Sequence, residues 1–356
     1  MHVLHLLLGF DGRRDARDFP TLTRLVEEQA ALGARVTVLG RAMRNDEETR
    51  NGVRYLLRAD DPSLYLPRRF TRLTPLWNVV AELAPDVIHF NGLVFPLQLS
   101  ALRRHTRAAM VAQHHGGPPM KGLKGIAQRR ALRSADALLF TGKEQGEAWR
   151  VGRPVHELLE ASSDFLPVPR AEARKTTGLA GHPDVLWVGR LSPRKDPLTA
   201  LQAFHQAAGR VPDARLTLVF GEAPLLDELG PLLTDRVRVV GKVPHHELPA
   251  WYSAADLFLT TSPEEGSNYA LIEALSCGLY SVASDIPPHR AISGNGASAT
   301  LFPVGDVDAC AAALSSGVRR QRDAIRADFE ARLSWPVVGR RSLAIYEDVV
   351  ARRVVR

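Results

Sequence analysis

Two cations at the end of an apolar run and two carboxylates around a helix start are the side chains of this sequence best suited to chemistry. The segment VLWVGRLSPRKDPLTALQAF sets Arg190 and Lys195 in a loop between a strand-like run and a helical stretch, with Gly189 letting the chain turn. An Arg fork and a compact Lys charge at a strand end suit a diphosphate, and together they can stabilise charge developing on a leaving phosphate. Arg194 is an alternative to Lys195, and a plain surface loop is the structural alternative to both. Farther along, ADLFLTTSPEEGSNYALIEALSCG puts Glu265 before a helix and Glu273 inside it, with seven residues between them. The amides of that helix start, residues 267 to 270, together with the positive end of the dipole, form a natural anion site. Glu273 is positioned to accept hydrogen bonds from paired ribose hydroxyls, and Glu265 to hold hydroxyls of a sugar. Glu265 could equally be a dipole-stabilised helix cap. Glu273, next to the apolar run ALIEAL, needs a partner if it is buried. Cys277 and Gly278 read as close packing and a helix stop.

The elements that must position these groups alternate along the whole chain, short apolar runs with amphipathic stretches, which is the pattern of parallel sheets covered by helices. Strand candidates in the first half are residues 2 to 8, 34 to 40, 86 to 90, 109 to 114 and 135 to 141; in the second half they are 185 to 189, 214 to 220, 236 to 241, 255 to 261 and 279 to 284. Each half is expected to be doubly wound. Residues 162 to 184, rich in Pro, Gly and charge, read as the linker, which places the boundary near residue 170. Two such sheets, α/β in class, put the C-terminal ends of their strands on either side of one cleft, where ligands of these folds bind.

Composition agrees with two cores of roughly 170 residues each. The 45% hydrophobic and 24% charged residues exclude collagen-like, mucin-like and disordered classes. The first run is too short for a membrane helix and lacks the features of a signal peptide, and two cysteines exclude a disulfide framework, so a cytoplasmic location is expected. The formal charge of +7 is uneven: residues 1 to 170 hold 25 Lys and Arg against 18 Asp and Glu, whereas residues 171 to 356 hold 21 of each. A basic half beside a neutral one suggests an acidic partner for the first half, with Arg-rich codon usage as the bland alternative.

The second-half motifs VGRLSPRKDPL and EEGSNYALIEALSCG, with the intervening RVRVVGKVPHHELPAWYSAADLFLTTSP and the following SDIPPHR and LFPVGDVDA, resemble glycosyltransferase family 4, retaining enzymes of the GT-B fold. The resemblance covers essentially the second half and extends to LSWPVVGRRSLAIYEDVV, similar to the family's last helix crossing back to the first domain; it is thinner in the first half. It implies a GT-B architecture of two Rossmann-like domains facing a central cleft: residues 1 to 170 for the acceptor, 171 to 335 for the nucleotide sugar, and 336 to 356 returning to the first domain. It implies Arg190 and Lys195 on the donor diphosphate, Glu273 on the ribose and Glu265 on the donor sugar. Backbone amides of Ser267 and Asn268 would touch sugar hydroxyls and those of Tyr269 and Ala270 the phosphate, with Gly266 in the same donor-binding set, and Val243 would line the base. The expected donor is a UDP- or GDP-sugar ahead of an ADP-sugar.

In the first half, AMVAQHHGGPP puts His114 and His115 at a strand end before two glycines, and His115 matches the family histidine close to the transferred sugar. The family's glycine-rich loop is represented by LGFDGRRDARDF, a departure that bears on Gly12 as the phosphate or acceptor contact. HELLEASSDFLP lacks the family's glycine before its acidic turn, and His89 in DVIHFNG is most simply a packed polar group. Two basic stretches stand out, RRFTRLTPLW and KGLKGIAQRRALR. In the second, Lys121, Lys124, Arg129, Arg130 and Arg133 lie beside Leu123, Ile126, Ala127 and Leu132, as in an interfacial helix, although a solvated basic face is as common. Without aromatic interleaving, nucleic acid is not an expected partner. The expected partners are a nucleotide sugar, a hydroxyl acceptor that is carbohydrate, lipid-linked or small, and peripheral contact with an anionic membrane. No cofactor is expected, and no metal, since no Asp-x-Asp motif fits. The alternatives are a nucleotide-sugar epimerase of the same fold or a catalytically silent donor-binding subunit.

Overall fold

The computed structural model describes residues 1 to 9, 15 to 59, 74 to 318 and 320 to 354. The chain divides into two compact units, Met1–Ala161 with the last helix, and Ser162–Ser334. The first unit is built on β1 (His2–Leu7), β2 (Arg35–Ala42), β3 (Asp46–Arg50), β4 (Val53–Ala59), β5 (Val87–Asn91), β6 (Ala109–Gln113), β7 (Ala137–Phe140) and β8 (Val155–Glu157), in the order β3-β4-β2-β1-β5-β6-β7-β8. Its helices are α1 (Pro20–Ala31), α2 (Thr74–Leu83), α3 (Pro96–Leu102), α4 (Gly122–Leu132) and α5 (Lys143–Glu147). All pairs are parallel except β3 with β4.

Central strands of a parallel sheet are covered on both faces, so they read as near-continuous apolar runs. Alternation sends Leu4, Leu6, Ile88, Phe90 and Met110 into one core with Trp77, and Val36, Val38, Tyr55 and Leu57 into a second with Leu22 and Val26 of α1. The hairpin β3–β4 has no counterpart among the expected strands, because DEETR carries no apolar run. Its signal is the two-residue turn Asn51-Gly52, both with positive φ (50° and 79°), the geometry whose twist suits a tight hairpin. Charged side chains on this edge strand discourage pairing with another chain.

The second unit holds β9 (Asp184–Gly189), β10 (Arg215–Phe220), β11 (Val237–Gly241), β12 (Leu257–Thr260), β13 (Ser281–Ser284) and β14 (Ala299–Phe302). Its helices are α6 (Arg170–Thr177), α7 (Pro197–Ala208), α8 (Leu226–Leu229), α9 (Leu248–Ala254), α10 (Tyr269–Ser276), α11 (Pro287–Ser293), α12 (Val307–Ser315) and α13 (Arg322–Arg332). The sheet is parallel in the order β11-β10-β9-β12-β13-β14, a doubly wound arrangement in which the direction of winding reverses between β9 and β12. The loops leaving those two strands therefore carry the ligand site expected of such a sheet. Residues just after Ala161 belong to this unit: Ser162 Oγ donates to Leu333 O, at 2.5 Å, and Val168 N to Ser253 Oγ at 2.9 Å.

The last helix, α14 (Trp335–Val354), packs on the first unit. Gln29 of α1 donates to Ser342 Oγ at 2.8 Å and Tyr346 Oη at 3.2 Å, and accepts from His5 Nε2 at 2.8 Å. Tyr346 Oη also lies 2.5 Å from His89 Nδ1, and the His5 and His89 rings stack at 4.5 Å. Burial lowers the His5 pKa to about 4 and that of His89 well below its usual value, so both rings are neutral at pH 7. His89 is thus a packed polar group. Among the described residues no helix is long and apolar enough to cross a membrane.

Candidate active site

The loop leaving β9 is pinned at its far end, where α7 begins. Asp196 has a positive φ of 46° and caps α7 by accepting from Thr199 N at 3.2 Å, with Pro197 at the first helical position. The Thr261 hydroxyl, just past β12, donates to Asp196 O at 2.7 Å and lies 3.1 Å from Lys195 O. This tie brings the β9 loop onto the β12 loop, and there Lys195 Nζ forms an ion pair with Glu265 Oε1. The Glu265 side chain is 4% exposed and that of Lys195 19%. Arg190 stays outside the pair; its guanidinium is 3.8 Å from the exposed Glu222 carboxylate, a surface contact of small energetic weight that leaves it able to turn to another anion. Of the two cations weighed at this loop, Lys195 is seen to meet Glu265.

The start of α10 is fixed from beneath. Asn268 caps it, its Oδ1 accepting from Leu271 N at 3.2 Å, while its Nδ2 donates to Thr260 Oγ1 and His289 Nε2, both at 2.9 Å. His289 Nδ1 donates to Ser284 O at 2.8 Å, which leaves Nε2 as the acceptor and so sets the tautomer. Burial lowers the His289 pKa to about 4 and keeps the ring neutral. Gly266 and Ser267 are buried ahead of this cap, and the Ser267 hydroxyl has no partner among the described residues. Tyr269 is exposed and Ala270 half-buried at the first turn, whose amides lie at the positive end of the helix dipole.

Glu273, in the second turn of α10 with its side chain 13% exposed, does have the partners its position demands. Its Oε2 accepts from the buried Tyr252 hydroxyl at 2.9 Å and its Oε1 faces His245 Nε2 at 2.8 Å. The carboxylate raises the His245 pKa, while burial and then Glu273 push the Tyr252 phenol well above its usual range. The His245 side chain is 73% exposed and rests on the Phe165 ring at 4.8 Å, so it is the partner that can yield Oε1 to an incoming hydroxyl. Val243 lies half-buried in the same loop. His245, Tyr252 and His289 were not singled out from sequence; the doubled His245-His246 beside Val243 was the one visible signal.

In the first unit the two adjacent histidines part ways. His114 is buried, stacked on Phe140 at 4.8 Å and held by Gly117 O at 2.9 Å from Nε2. His115 is the more exposed, and its Nδ1 lies 2.6 Å from Oε2 of buried Glu160. Gly116 and Gly117, at φ of 104° and 83°, turn the chain away directly afterwards, a conformation that favours glycine. Glu160 was missed because it lies 45 residues away in an irregular segment. Gly12 and residues 68 to 73 of the first basic stretch lie outside the described residues.

Neither cysteine is poised for chemistry, since burial pushes both thiols up to about 12. Among the described residues no group of three His, Cys, Asp or Glu is placed to hold a metal ion. The triplet Asp306-Val307-Asp308 is engaged elsewhere: Asp306 caps α12 through Ala309 N at 2.9 Å, and Asp308 accepts from Gln206 at 2.9 Å.

Residues 182–319 match the family model described as glycosyl transferases group 1, and residues 20–157 match the glycosyl transferase 4-like domain. A phosphatidyl-myo-inositol mannosyltransferase of Mycolicibacterium smegmatis is 31% identical over 175 residues, covering 46% of this chain and 45% of the relative. A D-inositol 3-phosphate glycosyltransferase of Thermobispora bispora is 29% identical over 217 residues, covering 53% and 48%. The chain thus matches about half the length of these curated relatives. Among solved structures, sucrose-phosphate synthase from Thermosynechococcus elongatus superposes with a TM-score of 0.73 at 20% identity, covering 99% of both chains. Anabaena HepE in complex with UDP gives 0.75 at 17% identity, covering 98% of this chain and 100% of the other. At these identities the superpositions establish the fold, two parallel-sheet units of GT-B type.

Proposed function

From the premise that the chain belongs to the glycosyl transferases of group 1, its first unit carrying the 4-like domain, we propose that it moves a sugar from a UDP- or GDP-sugar to a hydroxyl acceptor with retention of configuration. The observation that carries this reading is the Lys195–Glu265 pair, drawn together from loops 70 residues apart at the switch point of the second sheet. A cation beside a buried carboxylate offers one group for a leaving diphosphate and one for sugar hydroxyls. Arg190 joins Lys195 on the diphosphate, Glu273 takes the ribose, and the backbone from Gly266 to Ala270 takes sugar and phosphate. Val243 lies against the base, and His115 serves the transferred sugar from the first unit.

In this reading the bond from the anomeric carbon to phosphate oxygen breaks, the acceptor oxygen bonds to that carbon on the same face, and the departing phosphate takes the acceptor proton. Arg190, Lys195 and the helix start supply the electrostatic stabilisation, with no metal assigned a part. The acceptor is a carbohydrate, lipid-linked or small-molecule hydroxyl, and the protein works in the cytoplasm with peripheral contact to an anionic membrane. A bound UDP in one structural relative and a mannosyltransferase name for another support transfer over the epimerase and silent-subunit alternatives.

The test is a thermal-shift panel of nucleotides and nucleotide sugars followed by hydrolysis of the best binder in EDTA, with the anomeric configuration of the product read by NMR. A ligand at 100 times its dissociation constant stabilises by about 2.7 kcal/mol. Binding and slow hydrolysis with retention are expected. A panel with no binder, or an inverted product, overturns the reading.

A further inference from the structure

Helix α4 and the turn before α3 leave an unusual set of apolar side chains in water. Leu123 is 84% exposed and Ile126 55% on α4, with Val94 at 57% and Leu97 at 46% on the neighbouring turn and helix. Between them runs a cavity of about 250 Å³ lined by Val94, Pro96, Leu97, Met120 and Ala127, with Lys124 among its lining residues. Its walls are built rather than incidental. Gln128 accepts from Met120 N at 2.8 Å and donates to Leu93 O at 3.4 Å, tying both sides together. Gly125 lets the Met120 backbone lie against the helix, since a Cβ there would sit 2.1 Å from Met120 O.

The structure also corrects the simple interfacial helix expected for this stretch. Leu132 is fully buried with Ala131, so the apolar residues of α4 divide between the core side and the solvent side. The inward set is explained by packing; the outward pair Leu123 and Ile126 is not. An outward apolar pair beside an apolar groove marks an interaction surface. Charge identifies what it meets. No Asp or Glu occurs between Asp86 and Asp136, while eight Lys or Arg do, and Lys121, Lys124 and Arg130 are exposed on α4 and at its cap. Exposed apolar side chains surrounded by cations, with no acid to complement a basic protein partner, match the boundary between acyl chains and anionic headgroups.

We infer that α4 seats on an anionic bilayer, with Leu123 and Ile126 entering the acyl region and one acyl chain of an anionic lipid lying in the Val94–Met120–Ala127 groove. The groove narrows the acceptor to a lipid-borne hydroxyl, a step that rests on the transfer reading above. Within the first unit, only the turn from His115 to Met120 separates the His115–Glu160 pair from the groove in sequence. A lipid held by its chain in the groove would accordingly present its headgroup near that turn.

The experiment is sedimentation of the full chain with vesicles of equal parts phosphatidylcholine and phosphatidylglycerol, against phosphatidylcholine alone, in rising sodium chloride. The wild type should sediment with the anionic vesicles only, and be released as the screening length falls from about 10 Å at 0.1 M to about 3 Å at 1 M. Leu123→Ser with Ile126→Ser, at exposed positions whose fold circular dichroism verifies, should lower the partition at least about tenfold. Ala127→Phe, which fills the groove and keeps every charge, should lower it too. A wild type that stays in solution overturns the inference, as does a serine double variant that sediments like wild type, which would indicate adhesion by charge alone. Normal sedimentation of Ala127→Phe overturns the acyl chain in the groove. Nucleotide-sugar hydrolysis without vesicles, measured in parallel, separates the two readings: its absence counts against transfer, while sedimentation alone decides the surface.

Discussion

Lys195→Met, Glu265→Gln and the double variant test whether the pair at the switch point acts as one electrostatic unit. Removing one member of a buried pair costs about 3 to 5 kcal/mol, because the remaining charge has been taken from water. Glu265 is the deeper partner, 4% exposed against 19% for Lys195, so Lys195→Met should fall in that range. Glu265→Gln leaves an ammonium with a path to solvent and a neutral amide that still accepts a hydrogen bond, so its cost should be smaller, about 1 to 3 kcal/mol. In the double variant neither charge is left behind, and the two effects should fail to add by about 2 kcal/mol, within the range found for residues in contact. The assay is a urea titration read by hydrogen exchange in peptides from the second unit, which isolates its unfolding from that of the first. Turnover of the donor should likewise fail to add: the double variant stays as slow as the slower single, about 100- to 1,000-fold below wild type, as for loss of a preorganised group. Additive stabilities within about 0.5 kcal/mol, or a double variant turning over at the wild-type rate, would refute the reasoning.

Glu273→Gln should weaken nucleotide binding by about 1.5 to 3 kcal/mol by calorimetry, the scale of a charged hydrogen bond; unchanged affinity removes the ribose from Glu273. Because Glu273 raises the His245 pKa, protonated His245 holds the carboxylate most firmly, so nucleotide affinity should rise with pH from about 6 to 8 and lose that slope in His245→Ala. Burial depresses the pKa of His5 and His289 to about 4, so the unfolded chain binds more protons between its pKa near 6.5 and 4; their contribution is full above about 6.5 and lost as pH falls. Each should cost about 2 kcal/mol by pH 5, and a urea midpoint that is flat from pH 7 to 5 contradicts this. Gly278→Ala should lower the thermal midpoint of the second unit, since φ there is 71° and the new Cβ would lie 2.7 Å from Arg322 O, adding a backbone clash to about 1 to 2 kcal/mol of left-handed strain.

Much of the scaffold could be read from the sequence alone. Apolar runs such as HVLHLL and DVLWVG are local statements that a segment is covered on both faces, and the strands β1, β2, β5, β6, β7 and β9 to β13 follow from them. The motifs also placed Arg190 and Lys195 after a strand and Glu273 on a helix, because a turn glycine and a capped helix start are local features as well. Where burial is partial or the element is very short, that signal fades: β3 is charged, β8 has three half-buried residues and β14 is half-buried at its two central residues, and only the Asn51-Gly52 turn advertised the hairpin. What the tertiary structure alone decided is which side chains meet. Lys195 reaches Glu265 because β9 and β12 are neighbours in a sheet whose strand order periodicity does not encode. Glu160 reaches His115, and His289 reaches Asn268, for the same reason: each pair is joined across loops or elements that nothing in either segment names. At the end of β6 the two successive histidines fall on opposite sides of the chain, one into the core against Phe140 and one outward, a difference that sequence leaves open because only the surrounding packing distinguishes the two sides.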